Sequence, residues 1–274
     1  MVILVLVVLG LALGSFANAL VWRVYKQSKS SKKLASKYSI TRGRSMCVDC
    51  GHKLSFLDLV PVISWVGLRG KCRYCHKKIS WQYPGVELAT AVLFVLSYVF
   101  WPVGLAGKEW LAFGLWLAIL TGFVALIVYD FRWMILPNKI ILPLYFLAVI
   151  FVVVKLWASA DIIKSLSELV LAVFIGGGIF YILFRVSKEK WIGGGDVKLG
   201  LLLGALALTP MNAMMLLFFA SLLGCIYILP RMLSKKITKH TKIPFGPFLI
   251  IGCILVVLFG QVVSDWYFAH LIYR

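Results

Sequence analysis

Long apolar runs separated by short polar stretches dominate the chain. Runs near residues 2–21, 85–103, 110–130, 138–157, 165–186, 197–209, 211–230 and 245–268 each predict a helix. Most approach the ~20 residues that a helix needs to cross a hydrocarbon core roughly 30 Å thick. The sixth run, 197–209, is short for a span. Barrel strands would instead alternate with period two in pieces of ~10 residues, and no such alternation is present. The pattern predicts an all-α polytopic membrane protein with about eight transmembrane helices.

Composition agrees: 62% of the 274 residues are hydrophobic and 14% charged, against roughly half and a quarter in soluble domains. The first run begins at Met1 with no basic segment ahead of it, and basic residues follow from Arg23 onward. "ALGSFANA" therefore reads as part of a retained helix, not as a signal-peptide cleavage site. Net charge is +19. With eight spans and the amino terminus outside, 22–84, 131–137, 187–196 and 231–244 share one side. All Lys and Arg except Lys108, Lys155, Lys164 and Arg274 lie in those stretches or at their edges. That asymmetry places them in the cytosol and predicts attraction to anionic lipid. No base-stacking patch or nucleic-acid motif accompanies the charge, so no nucleic-acid partner is expected.

The one sizeable polar piece is 22–84. Its start, "YKQSKSSKKLASKYS", reads as solvated and mobile, and its remainder as compact. Cys47 and Cys50 form one C-x-x-C and Cys72 and Cys75 another, with 21 residues between the pairs. Two such knuckles suit a tetrahedral four-sulfur zinc site, and two disulfides are the alternative. A cytosolic loop keeps thiols reduced, which favours metal. His52 and His76 each follow a knuckle and are substitute ligands, although four cysteines already satisfy the ion. No open coordination position is evident, so the zinc is expected to be structural, holding a loop with little core of its own. Cys225 and Cys253 lie in apolar spans and read as small hydrophobes.

Of ten acidic residues, Asp49, Asp58, Glu109, Asp161, Glu168, Glu189 and Asp265 fall in loops or near span ends, where solvation costs little. Glu87 starts a span, where a first-turn acid favours the helix dipole. Asp130 ends the third span and Asp196 begins the sixth, so span parity brings both out on the cytosolic side. Singly, Asp196 is an acceptable helix cap after three glycines, and Asp130 could pair with Arg132. Together they offer acid–base chemistry, because two close carboxylates share a proton. The ionised one activates water; the protonated one polarises a peptide carbonyl and assists the leaving amine. Gly193 and Gly195 would give clearance for a neighbouring helix and an extended substrate. Neither H-E-x-x-H nor G-x-S-x-G is present, and the "GGG" runs lack the strand–turn–helix context of a nucleotide fold.

Several stretches in order resemble the type IV prepilin peptidases, a family of GxGD membrane aspartyl proteases. They are "GSFANALVWR" at 14–23, the two C-x-x-C pairs around "LVPVISWVGLRGKC", "ISWQYPGVEL", "ALIVYDFRWMILPN", "GGGDVKLG" and "IPFGPFL" at 243–249. Asn138 departs from the pattern, in which an acid often follows Leu-Pro. The resemblance implies catalysis by Asp130 and Asp196, with Gly193 and Gly195 as the glycines of GxGD. It implies a first transmembrane helix over 1–21, a cytosolic four-cysteine zinc loop over 22–84 and a protease core over 85–274. It also implies leader cleavage of prepilins and pilin-like proteins at the cytosolic face of a bacterial inner membrane. Methylation of the new amino terminus with S-adenosylmethionine is implied by the resemblance alone, since no cofactor motif is recognisable. Proteases of the presenilin kind share the GxGD but also use a Pro-Ala-Leu element, absent here. A membrane scaffold or transporter with a zinc-clipped loop would leave both aspartates dispensable, and a pure methyltransferase would need the loop but not the dyad.

Overall fold

A computed structural model describes residues 1–31, 38–40, 43–234, 243–267 and 269–270. The centre of the Lys/Ser-rich stretch, 32–37, and much of the basic stretch 231–244 lie outside the described residues. The described part is helical, and its only strand-like pairings are the isolated bridges Met46–Lys53 and Lys71–Lys78. The helices are α1 (Val2–Lys29), α2 (Ile63–Gly67), α3 (Gln82–Val99), α4 (Lys108–Trp133) and α5 (Asn138–Trp157). They continue with α6 (Ile162–Val186), α7 (Gly194–Ala207), α8 (Pro210–Leu233) and α9 (Gly246–Tyr267). Each of the eight apolar runs is thus a helix. Six are long and apolar enough to cross a membrane, and the remaining two are α3, of 18 residues, and α7, of 14.

The chain divides into two compact units, Met1–Val99 with Leu120–Val128, and Phe100–Ile119 with Tyr129–Arg274. In the first, α1 packs along α3 through small residues. A Cβ at Gly10 would stand 2.5 Å from Ala91 Cα, and one at Gly14 would stand 2.7 Å from Glu87 Cα. Without those side chains the backbones approach closely, as in small-residue membrane helix pairs. Asn18 locks the pair at one end: its Nδ2 donates to Tyr83 O at 3.1 Å, and its Oδ1 accepts from Gln82 Nε2 at 3.2 Å.

The first helix runs 28 residues to Lys29, or about 42 Å at ~1.5 Å per residue, and so extends past the expected span 1–21. Its last turns gather the loop: Arg23 donates to the carbonyls of Ser39, Ile40 and Gly43 at 3.2, 3.0 and 2.7 Å. Glu87 is not a first-turn acid, because α3 starts five residues before it. The dipole fades within one turn, and the buried carboxylate instead accepts the Val62 N–H at 2.7 Å.

In the second unit α7 is contacted by α6, α5, α8 and α9. Leu199, Leu202, Leu203 and Leu206 are all fully buried, as expected of a helix apolar on every side. At ~1.5 Å per residue its 14 residues reach about 21 Å, less than the core thickness. Protein surrounds it where lipid would not. Glu109, expected to be solvated, is paired: Lys155 Nζ lies 2.7 Å from its Oε2 and Trp101 Nε1 donates to it at 3.1 Å.

Candidate active site

Asp130 lies in the last turn of α4 and is buried. A carboxylate is unfavourable at the negative end of a helix dipole. Relief comes from α9, whose first residue, Gly246, points its backbone N–H at the Asp130 carboxylate. That N–H belongs to the first turn, which has no carbonyl of its own helix to bond, and it brings the positive end of a second dipole to the acid. The approach requires glycine: a Cβ at Gly246 would stand 2.7 Å from Asp130 Oδ2. Among the described residues no ion pair joins Asp130 to Arg132, whose guanidinium lies over the Trp133 ring instead.

Asp196 is the third residue of α7, within the first turn, and is half-buried. The cap position belongs to Gly193. The Asp196 side chain accepts the Gly193 N–H, the reach-back half of a capping box. Its carboxylate is near enough to that of Asp130 for the two to repel. The N-termini of two helices, α7 and α9, therefore supply backbone N–H groups to the two acids.

The position of α7 is set by glycine contacts. α6 contains a π-helical turn, Phe174–Gly178, over the sequence FIGGG. A Cβ at Gly176 would stand 2.7 Å from Gly204 Cα, and one at Gly177 would stand 2.5 Å from Leu201 N. Gly200 likewise presses on the Gly176 carbonyl. Of the two GxGD glycines, Gly195 lies against Leu136, at 3.3 Å from a built Cβ, and Gly193 is exposed, facing only its own Asp196. Helix-to-helix clearance thus falls to Gly176, Gly177, Gly200 and Gly204, while Gly193 borders open space. Lys198 ties α7 to α5: its Nζ donates to Asn138 Oδ1 at 3.0 Å, and its carbonyl accepts from Tyr145 Oη at 2.6 Å. Asn138 keeps an acceptor at this point without a second negative charge.

In the cysteine loop, the ligand atoms of Cys47, Cys50, Cys72 and Cys75 all lie within 4.8 Å of one another, and this group could hold a metal ion. The two knuckles are built alike. Cys47 N–H donates to His52 O and Gly51 N–H to Cys47 O; Cys72 N–H donates to Lys77 O and His76 N–H to Cys72 O. Gly51 in one and His76 in the other take the positive φ that closes the turn, +70° and +58°. Cys47 Sγ and Cys75 Sγ are 3.9 Å apart, whereas tetrahedral bonds of about 2.3 Å separate sulfurs by about 3.8 Å and a disulfide by about 2.05 Å. All four cysteines are free. His52 stacks on Tyr74, ring centroids 3.7 Å apart, and joins no ligand group. Burial pushes the Cys47 thiol up to about 12. Burial opposes ionisation of Cys72 too, but backbone N–H groups of Cys75 and Tyr74 and the neighbouring thiols outweigh it and hold that thiol down at about 7.

A family model for the bacterial peptidase A24 N-terminal domain matches residues 8–101, and one for the type IV leader peptidase family matches residues 115–229. A protein of Pseudomonas aeruginosa named prepilin leader peptidase/N-methyltransferase is 31% identical over 97% of this chain and 93% of its own length. Proteins with the same name from Vibrio cholerae and Bacillus subtilis are 31% and 28% identical, over 91% and 96% of this chain and 93% and 96% of their own. The chain belongs to the type IV leader peptidase family. No solved structure matches it.

Asp130 and Asp196 lie near enough to interact electrostatically, and the four cysteines cluster. Gly246 was missed. The stretch "IPFGPFL" carried the resemblance, yet nothing in it marked the glycine as a neighbour of Asp130, because a backbone N–H leaves no side-chain signature. A Pro directly after a Gly at the start of an apolar run, a favoured first-turn residue, was the one available hint that a helix N-terminus lay there.

Proposed function

We propose that this chain is a membrane aspartyl endopeptidase that removes the leader of type IV prepilins and pilin-like proteins, with Asp130 and Asp196 as the catalytic pair. The supporting observation is two carboxylates near enough to interact electrostatically, each accepting a backbone N–H at a helix N-terminus. Those N–H groups fix the carboxylates without supplying a counter-charge, so the pair keeps a proton to move. The ionised aspartate takes a proton from water as its oxygen attacks the scissile carbonyl carbon. The protonated partner first hydrogen-bonds to that carbonyl oxygen, and a proton then passes to the amine nitrogen as the C–N bond breaks. Exposed Gly193 leaves the backbone edge of the pair open to an extended peptide.

In this reading 1–21 is the first span, 22–84 the cytosolic loop and 85–274 the protease core, in a bacterial inner membrane with the dyad at the cytosolic face. The four cysteines hold one structural Zn²⁺, which closes the loop and takes no part in hydrolysis. The relatives' names join peptidase to N-methyltransferase, and S-adenosylmethionine-dependent methylation of the new amino terminus would follow cleavage.

The test is co-expression with a prepilin. Asp130→Asn and Asp196→Asn should each slow leader removal by roughly 10²- to 10⁴-fold, with the protein still in the membrane at normal abundance. Cleavage at the normal rate by either variant overturns the dyad.

A further inference from the structure

The cysteine loop carries an apolar face that nothing in its own unit covers. Phe56, Leu57, Ile63, Val66 and Trp81 are each between 61% and 84% exposed. Solvated surfaces rarely gather large apolar residues without a partner, and these five fall within 26 residues outside the spans. Ile63 and Val66 stand three apart on α2 and therefore on one side of it. Trp65 of the same helix packs on Trp81 with centroids 4.1 Å apart and donates to Ile79 O at 3.2 Å, which ties Trp81 to α2.

Two tethers fix the height of this face. Val62, immediately before α2, has φ +60°, a conformation that costs a β-branched residue energy unless its surroundings enforce it. The enforcing group is Glu87, which accepts the Val62 N–H from the second turn of α3. Trp81 directly precedes α3. The face is thus held beside the first turns of α3, a largely apolar helix, with a Trp, a side chain that favours the membrane interface, at its start.

Its charge matches an anionic surface. Residues 43–81 contain seven Lys or Arg and two acids. Both acids are already paired, Asp58 with Arg73 and Asp49 with Lys77, so the surplus is basic.

We infer that the face formed by Phe56, Leu57, Ile63, Val66 and Trp81 seats in the headgroup layer of the protein's own bilayer, drawn there by anionic lipid. The loop is then a peripheral membrane element tethered at both ends, with apolar insertion and basic attraction acting together.

The experiment places p-benzoyl-phenylalanine at Ile63, at Val66 or, as a control, at exposed Lys53 in the full chain. The protein is irradiated in nanodiscs of phosphatidylcholine alone or mixed with phosphatidylglycerol. Lipid adducts at positions 63 and 66 should exceed those at 53 by roughly tenfold, and phosphatidylglycerol should raise them roughly fivefold. Equal lipid yields at all three positions overturn the inference. So do crosslinks that go to a second copy or to added prepilin in place of lipid. Should the substituted chains misfold, hydrogen exchange of the unmodified protein decides. Residues 56–66 should exchange roughly fivefold more slowly in the phosphatidylglycerol discs, and identical rates in the two lipids overturn the inference.

Discussion

The cysteine loop and the α7 neighbourhood are held together by opposite means. Between residues 43 and 81 the chain buries little: Cys72 is its one buried hydrophobic residue, and large apolar groups face outward. Four converging sulfurs, a few turn hydrogen bonds and the tethers from Arg23 and Glu87 take the place of a core. Around α7 the chain packs backbone on backbone, with glycines at 176, 177, 200 and 204 and four leucines out of solvent. A loop of this kind depends on one set of ligands. A helix embedded this way depends on contacts shared among many residues, and a small error in any one shifts the aspartate it carries.

Metal removal should separate the regions most sharply. Structural zinc sites contribute on the order of 10 kcal/mol to folding. Chelation, or Cys72→Ser, should abolish amide protection over 45–78 while α7 and α8 keep theirs. Loss of protection in both regions would show that they stand or fall together. Lowering the pH should also release the metal, because protons compete for the sulfurs; Cys47, whose thiol is pushed up to about 12, gains most from the ion.

Gly246→Val should next damage the other region alone. Its side chain would meet the Asp130 carboxylate, and displacing a catalytic group by about 1 Å can cost ~100-fold in rate. Peptidase assays should fall by that order with metal content unchanged, whereas Gly193→Ala, facing open space, should fall far less. Gly200→Ala, which forces a methyl against the Gly176 carbonyl, should cost about 1–3 kcal/mol, read as a lowered midpoint of thermal unfolding in detergent.

The smallest effect concerns Asp58. Burial works against its charge, but Arg73 Nε at 2.7 Å and Ser55 hold its carboxyl below the ordinary range. A carboxyl lowered on folding adds stability above its unfolded value, about pH 3.9, and that stability is lost as pH falls through the lower folded value. Arg73 is half exposed, so the gain is limited to about 1 kcal/mol. Asp58→Asn should lower loop stability slightly at neutral pH and flatten its acid limb, measured by exchange over 55–74.

Hydrophobic patterning was sufficient for the helices because a helix satisfies its own backbone groups wherever water is absent, and eight apolar runs became eight helices. Cysteine spacing was sufficient for the four-sulfur cluster because each knuckle is a local turn. Patterning was less informative where polar groups meet across the fold. Glu109 looked solvated and found Lys155, 46 residues away. Glu87 looked like a dipole partner and became the anchor of Val62.

By itself, then, the sequence determined the membrane class and the cysteine knuckles, consequences of local period and spacing. Only the tertiary structure decided what surrounds the aspartates. That Gly246 offers its N–H to Asp130, and that Gly176 and Gly177 rather than Gly193 and Gly195 admit the neighbouring helix, follows from backbone approach. Backbone is the same at every residue, so its closeness appears only when the helices have packed.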